Sequence, residues 1–267
     1  MCQLLGMNCN VPTDICFSFA GFRARGGLTD IHKDGWGIAF FEDRGVRVFL
    51  DPQASSTSPI AELVRSYPIR SRNVIAHIRK ATQGETRLEN THPFQRELWG
   101  RPWVFAHNGN LLDYAPASQG WYQPVGSTDS ERAFCAIMEG LRQRFPEGEP
   151  DLAALHQAVA EMARDIGAHG EFNFLLSDGR CLLAHAASRL SYVVRQAPFD
   201  EAHLKDQDIT MDFRQHTQPD DRVAVVATLP LTDNEPWTTI PPGHLVLFVE
   251  GQATAAPLPT RPFHRPE

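Results

Sequence analysis

The first stretch of the chain, Met1-Cys2-Gln3-Leu4-Leu5-Gly6-Met7, carries the most information about the fold. The apolar residues after Cys2 predict a buried strand, and a small residue at position 2 allows methionine aminopeptidase to remove Met1. Cys2 would then carry a thiol and a free α-amine. Because the pKa of such an amine is about 7.7–8.0, it suits a thiol with a pKa near about 8.5 as proton acceptor. The sequence therefore predicts a nucleophile that brings its own general base.

Four short motifs follow, of which two end apolar runs and one opens a predicted helix. They are Asp34-Gly35-Trp36-Gly37, His77-Ile78-Arg79-Lys80-Ala81-Thr82, His107-Asn108-Gly109-Asn110 and Ser127-Thr128-Asp129-Ser130-Glu131. Asn108 and Gly109 offer a side-chain amide and a backbone N–H as two donors to an oxyanion. An Asn-Gly pair is also a common type I′ turn, so both interpretations are open on the residues alone.

Two charged residues in these motifs lie at the predicted boundaries of a strand and a helix. Arg79 lies at the predicted end of a strand, where a guanidinium can bind a carboxylate with two hydrogen bonds or form an ordinary surface salt bridge. Asp129 lies in the first turn of a predicted helix, where an acidic side chain also stabilises the helix dipole.

In this order, the motifs resemble those of the class II glutamine amidotransferases, whose nucleophile is an N-terminal cysteine. The similarity is greatest to the stand-alone bacterial members, which consist of the glutaminase domain and little else. The resemblance implies an α+β fold, a four-layer αββα sandwich with antiparallel sheets that is typical of N-terminal-nucleophile hydrolases. It covers residues 2–251, which we expect to form one domain, and leaves residues 252–267 as a proline-rich tail.

The resemblance also implies a role for each candidate site residue. The catalytic residues would be Cys2 as nucleophile with Asn108 and Gly109 as oxyanion hole, and the substrate-binding residues would be Arg79, Thr82 and Asp129. In this family pattern, the arginine and threonine bind the substrate's α-carboxylate end and the aspartate binds its α-ammonium. Lys80 departs from the pattern, because a tryptophan often stands at this position.

The reaction implied by the resemblance is hydrolysis of the glutamine side-chain amide. The Cys2 thiol would attack the carbonyl carbon, ammonia would leave, and water would convert the γ-glutamyl thioester to glutamate. This chemistry requires no metal ion and no organic cofactor. The expected partners are glutamine or a γ-glutamyl compound as substrate and a separate synthase subunit that accepts ammonia.

Three other functions remain open on the sequence. Some stand-alone relatives are γ-glutamyl hydrolases, which act on γ-glutamyl amides or peptides of the glutathione or ergothioneine type. A catalytically silent ligand-binding module is a second alternative, although a binder has no need of the Cys2 thiol. A cysteine–histidine protease is the weakest alternative, since no histidine has a recognisable partner motif.

Composition and charge exclude several functional classes. The chain has 267 residues, of which 42% are hydrophobic and 21% charged, and its formal net charge of −7 disfavours binding to nucleic acid or an anionic membrane. No apolar run approaches the roughly 20 residues of a membrane-spanning helix, and no signal peptide is recognisable, so we expect a cytoplasmic protein. The five cysteines follow no disulfide or metal-binding pattern, which predicts free thiols and no metal site.

Apolar periodicity predicts four helices among ten short strands. The helices are expected at residues 13–22, 58–65, 128–141 and 152–166. Thr128 and Glu131 predict a capping box at the start of the third helix. Asp178-Gly179 predicts a hairpin turn between two strands.

Overall fold

The strand that follows Cys2 is central to the fold, because both of its edges pair with other strands. The computed structural model describes residues 2–117 and 120–254, and in it β1 spans Gln3–Thr13. On one side β1 pairs antiparallel with β4, Ser71–Ile78, and on the other with β12, Arg222–Ala227. The apolar run predicted as a strand is therefore confirmed, and it continues six residues beyond Met7.

Twelve further strands lie in the described part of the chain. They are β2 Trp36–Glu42, β3 Gly45–Asp51, β5 Phe94–Leu98, β6 Arg101–Leu111, β7 Gly170–Ser177, β8 Leu182–Ala186, β9 Ser191–Gln196, β10 Glu201–His203, β11 Thr210–Asp212, β13 Thr238–Thr239, β14 His244–Val249 and β15 Gln252–Thr254. The first large sheet has the order β13-β9-β12-β1-β4-β2-β3, and the second has the order β15-β14-β8-β7-β6-β5. A two-stranded ribbon of β10 and β11 accompanies them, and all the strand pairs are antiparallel.

Four helices cover the outer faces of the two sheets. They are α1 Cys16–Ala24, α2 Pro59–Ser66, α3 Asp129–Arg144 and α4 Leu152–Gly167. Because side chains alternate across a strand, Leu5 of β1 packs in the core formed with α1 and α2, whereas Leu4 packs in the layer between the sheets. Phe105 of β6 packs against Phe134 of α3 on the outer face of the second sheet. This order of layers confirms the αββα sandwich.

Side-chain caps fix the starts of the last three helices. Ser58 Oγ accepts a hydrogen bond from Ala61 N–H at 3.2 Å, and Thr128 Oγ1 accepts one from Glu131 N–H at 3.2 Å. Asp151 caps α4 in the same way. Each such cap stabilises a helix by about 1 kcal/mol. The capping box at Thr128 is only half formed, because the Glu131 carboxylate accepts from the N–H groups of residues 125 and 126 instead.

The predicted start of the first helix was wrong. Thr13 is the last residue of β1 and pairs with Ser71, so the helix begins only at Cys16. Pairing along β1 has overridden the local capping signal of Thr13-Asp14. The hairpin prediction at Asp178-Gly179 is confirmed, since these residues lie between the paired strands β7 and β8.

The predicted C-terminal tail is described only in part. Residues 252–254 form β15 and pair with β14, while residues 255–267 lie outside the described residues. The domain boundary at residue 251 stays a prediction. None of the described helices combines the length and the apolar character needed to cross a lipid bilayer.

Candidate active site

Cys2 is buried at the start of β1, with 8% of its surface exposed. Its sulfur lies against the backbone of Lys80, two residues beyond the end of β4. The Lys80 N–H donates to Cys2 Sγ at 3.2 Å, and the thiol donates to the Lys80 carbonyl oxygen at 3.3 Å. Pairing of β1 with β4 therefore fixes the position of the thiol.

Burial raises the pKa of the Cys2 thiol above its ordinary value. The Lys80 backbone hydrogen bond and the positive charge of Arg79 act in the opposite direction but are smaller. The group is consequently a protonated thiol near neutral pH. Attack on a carbonyl requires a proton acceptor beside it.

Asn108 and Gly109 lie within β6 and do not form a turn. They are opposite Asn173 and Phe172 of β7, respectively, so the type I′ interpretation of this pair is wrong. A side chain at position 109 would collide with the carbonyl oxygen of Glu171 on the neighbouring strand. The glycine is thus required by close packing of two strands, a reason that the local sequence does not reveal.

Thr228 connects the Asn108 amide to the strand that carries Cys2. Asn108 Nδ2 donates to Thr228 Oγ1 at 3.4 Å, and the same oxygen accepts from the Leu4 N–H at 2.9 Å. Asn108 Oδ1 is buried and has no hydrogen-bond partner in the described part of the chain. The Asn108 side-chain amide is therefore held beside Leu4, two residues along the chain from Cys2, and its Oδ1 makes no hydrogen bond to a described residue.

Arg79 is buried without a carboxylate partner among residues 2–117 and 120–254, at 3% exposure. Its guanidinium is held by the following loop. Nη1 donates to the Glu85 carbonyl at 3.0 Å, and Nη2 donates to the carbonyls of Gln83 and Gly84 at 2.8 and 3.0 Å. Burial lowers the pKa of Arg79, which marks an incompletely compensated cation. Such a group favours binding of an anion.

Asp129 is the first residue of α3 and is also buried, with 3% exposure. Its Oδ2 accepts a hydrogen bond from the Leu111 N–H at 2.8 Å. Gln83 Nε2 donates to the Leu111 carbonyl at 3.0 Å, so the loop that holds Arg79 is tied to the same residue. Arg79 and Asp129 are thereby brought together without forming an ion pair with each other.

Thr82 is placed differently from the other predicted residues. Its side chain is exposed, and no hydrogen bond joins it to another described residue. The neighbouring Gln83 was missed by the sequence reasoning, and Asn90, although its segment matches a loop near the site in the family pattern, was given no role. Asn90 donates to the Glu85 carbonyl at 3.0 Å and accepts from the Ser127 N–H at 2.9 Å, which fixes the loop against the start of α3.

Buried histidines surround the site but are poor proton acceptors. Burial lowers the pKa values of His77 and His92 well below the ordinary value, and the two rings are 4.2 Å apart. His107 is hydrogen-bonded to Ser130 Oγ at 2.8 Å and to the Glu171 carbonyl at 3.0 Å, and burial lowers its pKa as well. His107 lies within β6, and its two hydrogen bonds fix the ring between α3 and β7.

Comparisons with known proteins identify the family of this chain. The family model described as class-II glutamine amidotransferases matches residues 1–266. A putative glutamine amidotransferase of Escherichia coli is 54% identical over 252 residues, which cover 94% of this chain and 99% of that protein. The chain belongs to the class II glutamine amidotransferase family.

Two further relatives extend the comparison to structure and to reaction type. The crystal structure of a predicted glutamine amidotransferase from Pseudomonas aeruginosa is 46% identical, with a TM-score of 0.77 over 95% of this chain and all of that one. A gamma-glutamyl-hercynylcysteine sulfoxide hydrolase of Mycolicibacterium smegmatis is 28% identical over 244 residues, covering 90% of this chain and 88% of that protein. Sequence similarity thus extends to a relative that is named for a hydrolysis reaction.

Proposed function

We propose that this protein is an amidohydrolase that cleaves the side-chain amide of glutamine through a γ-glutamyl thioester on Cys2. The observation that carries the proposal is one continuous set of contacts. The Cys2 thiol touches the Lys80 backbone, the adjacent Arg79 is bonded to Gln83, and Gln83 and Asp129 both bond to Leu111. A nucleophile, a cation and an anion are therefore linked within a single buried region.

In the proposed reaction, Cys2 Sγ forms a bond to the substrate's carbonyl carbon while the thiol proton passes to the α-amine of Cys2. That amine becomes free when Met1 is removed, and it is needed because burial keeps the thiol protonated. The amide nitrogen leaves as ammonia after taking up this proton. Water then attacks the thioester, which yields glutamate and restores the thiol.

The negative oxygen of each tetrahedral intermediate would be bound by Asn108 Nδ2 and the Gly109 N–H. Donors of this kind act most strongly when they are held in place before the reaction. Two contacts support this role, since Thr228 holds the Asn108 amide and Asn173 Nδ2 donates to the Asn108 carbonyl at 3.0 Å. Because a Cβ at position 109 would collide with the Glu171 carbonyl oxygen, only glycine keeps the backbone of β6 in this position next to Asn108.

The γ-glutamyl end of the substrate would be recognised by its two charges. Arg79 would bind the α-carboxylate and Asp129 the α-ammonium, with Thr82 adding a contact once substrate is present. Both charged groups are buried without an ionic partner in the described part of the chain, which supports a site that is completed by a zwitterion. The ammonia released would pass to a separate acceptor subunit or to solvent.

A second candidate is hydrolysis of γ-glutamyl amides with a larger leaving amine. The likeness to the Mycolicibacterium smegmatis hydrolase favours it, because the comparison covers most of both chains. The chemistry at Cys2 would be the same, and only the leaving group would differ.

The test is release of glutamate and ammonia from glutamine by the purified protein, compared with the variants Cys2→Ser and Cys16→Ser. Cys16 is a half-buried free thiol of α1 and serves as the matched control. We expect loss of activity by more than about 10³-fold for Cys2→Ser and wild-type activity for Cys16→Ser. Equal activity of the two variants would contradict the proposal.

A further inference from the structure

A buried chain of hydrogen bonds joins the start of α3 to the backbone of β7. His107 Nδ1 lies 2.8 Å from Ser130 Oγ, and His107 Nε2 lies 3.0 Å from the Glu171 carbonyl oxygen. Ser130 Oγ lies in turn 3.5 Å from Asp129 Oδ1. His107, Ser130 and Asp129 are all buried. The proposed reaction uses the Asp129 carboxylate, but it gives no role to His107 or Ser130.

The position of His107 follows from the alternation of side chains along β6. His107 lies on the outer face of the sheet with Phe105, which packs under α3. A Cβ at position 109 would lie 2.6 Å from His107 Nε2, so Gly109 leaves room for the ring to reach the Glu171 carbonyl. The ring also packs against Phe172, with centroids 5.0 Å apart. The fold therefore fixes which group each ring nitrogen faces.

These two partners determine the tautomer of His107. A carbonyl oxygen can only accept, so the Nε2 that faces Glu171 must carry the ring proton. Burial lowers the pKa of His107, and a neutral imidazole carries a proton on only one nitrogen. Nδ1 is consequently an acceptor, and the Ser130 hydroxyl donates to it. That hydroxyl has a single proton, which is thereby used.

The tautomer of His107 has a consequence for the two oxygens of Asp129. Oδ2 accepts from the Leu111 N–H at 2.8 Å. Oδ1 faces Ser130 Oγ at 3.5 Å, but the proton of that hydroxyl is directed to His107. Among residues 2–117 and 120–254, no other hydrogen bond reaches Oδ1. Oδ1 is therefore a buried carboxylate oxygen that still needs a donor.

We propose that His107 sets the preference of this site for an α-amino acid by holding the Ser130 proton away from Asp129 Oδ1. The α-ammonium of the substrate then donates to Oδ1 without having to displace a hydrogen bond made by the protein. His107 acts through Ser130 and does not touch the substrate, so it is a positioning residue. This inference rests on the proposed function and names a residue that determines the specificity of the same site.

The variant His107→Phe removes the acceptor and keeps a ring of similar shape. The Ser130 hydroxyl then turns to Asp129 Oδ1, its other neighbouring acceptor, and competes with the substrate's α-ammonium. A net hydrogen bond of ordinary strength corresponds to about fivefold in affinity. In the double variant His107→Phe/Ser130→Ala the competing proton is gone, so binding of the ammonium should recover.

The experiment measures kcat and KM with glutamine and with glutaramate, which is glutamine without its α-amino group. We expect His107→Phe to raise KM for glutamine about fivefold, with kcat within about twofold and with kcat/KM for glutaramate unchanged. The double variant should return KM for glutamine to within about twofold of wild type. The matched control is His185→Phe, a buried histidine of β8 whose ring bonds to the Phe172 carbonyl at 2.6 Å. It should leave both substrates unaffected.

The same KM for glutamine in the single and double variants, or equal losses with glutamine and glutaramate, would overturn the role of His107 and leave the proposed function intact. A wild-type protein that does not cleave glutamine would contradict the proposed function instead. In that case, calorimetry measures glutamine binding to Cys2→Ser with and without the two further substitutions. Weaker binding in His107→Phe that Ser130→Ala restores would support the inference, and equal or absent binding would overturn it.

A spectroscopic measurement on the wild-type protein does not depend on the folding of His107→Phe. Multiple-bond ¹H–¹⁵N correlation spectra of protein labelled at histidine distinguish protonated from unprotonated ring nitrogens. We expect His107, identified as the ring whose Nδ1 signal shifts in Ser130→Ala, to carry its proton on Nε2 at neutral pH. A proton on Nδ1 would overturn the inference, because Ser130 would then be free to donate to Asp129.

Discussion

The core under α3 and α4 and the region around Cys2 are both buried, but they are built from different groups. The core is almost entirely hydrocarbon, and the rings of Phe105 and Phe134 stack with centroids 5.1 Å apart. The Trp103 indole N–H is an exception there. Around Cys2, by contrast, Asn108 Oδ1 and both ring nitrogens of His92 are buried without partners among the described residues.

This contrast separates what stabilises the fold from what serves a reaction. A buried polar group without a partner costs about 1–3 kcal/mol, so folding alone does not favour such groups. Burial of hydrocarbon, as around Phe134, raises the free energy of unfolding and so favours the folded state. We therefore expect changes in the core to affect stability and changes near Cys2 to affect activity.

The largest effect is expected from Phe134→Ala in the core. Removal of a fully buried phenylalanine costs about 4 kcal/mol of unfolding free energy through lost burial and the cavity left behind. Urea denaturation measures this loss. We expect kcat/KM for glutamine to change by less than about twofold while the protein is folded. A folded Phe134→Ala protein without activity would contradict the expectation that changes in this core affect stability alone.

Acid is expected to destabilise the protein through the histidines near the site. Burial holds the pKa values of His77 and His92 well below 6.5, so below that pH the unfolded chain gains protons that the folded chain does not. Their effect on the free energy of unfolding is constant above pH 6.5, and the stability of the protein falls as the pH drops below 6.5. At pH 5.5, one unit below the ordinary pKa of histidine, each residue is expected to cost on the order of 1 kcal/mol of unfolding free energy.

The measurement is urea denaturation at pH 7.5 and pH 5.5 for wild type and for His92→Gln, which is expected to halve this part of the loss. His203→Gln is a control of opposite sign. Hydrogen bonds to Asp233 and Asp208 raise the pKa of this exposed histidine, so its replacement should not reduce the loss of stability between pH 7.5 and pH 5.5. A pH dependence that is unchanged in His92→Gln would contradict the account.

A comparison of two facing asparagines sharpens the contrast further. Asn108→Ala is expected to lower kcat about 10²-fold, as for loss of one oxyanion donor, with little change in stability. Its partner across the strands, Asn173, accepts from the N–H groups of residues 187 and 188 and donates to the Asn108 carbonyl. We expect Asn173→Ala to cost about 2 kcal/mol of stability. Steady-state kinetics and urea denaturation of both variants test these roles. A loss of kcat in Asn173→Ala together with a loss of stability in Asn108→Ala would contradict them.

The smallest effect is expected from Asp129→Asn. The amide oxygen can still accept from the Leu111 N–H, so the helix start and the stability are preserved while the negative charge is lost. We expect KM for glutamine to rise about tenfold through loss of one charged contact to the α-ammonium. Asp151→Asn at the start of α4 is the matched control and should leave KM unchanged.

Local signals in the sequence predicted the local parts of the structure. Thr128 caps its helix as expected, and Ser58 caps the helix that was predicted to begin there, because in each case the donor lies three residues along the chain. The layered fold followed from the family resemblance, since periodicity does not specify how sheets stack. The Asn108-Gly109 pair was ambiguous because a turn and a strand use the same two residues, and only the pairing with β7 decides between them.

The parts that the sequence did not predict depend on contacts distant along the chain. Thr228 reaches Asn108 across 120 residues, and Gln83 reaches Leu111 across 28. No motif signals either contact, because each depends on strand register and on the path of a loop. The assignment of Thr82 as a substrate contact stays a prediction, as do the roles of the other candidate residues.

The central claim is that Cys2 is an N-terminal nucleophile for a glutamine-like substrate. Intact mass spectrometry before and after treatment with 6-diazo-5-oxo-L-norleucine, a glutamine analogue that alkylates nucleophilic thiols, tests it directly. We predict loss of Met1 and a single adduct that maps to Cys2, with the four other cysteines unmodified. A retained Met1, or a processed Cys2 that forms no adduct, would contradict the mechanism.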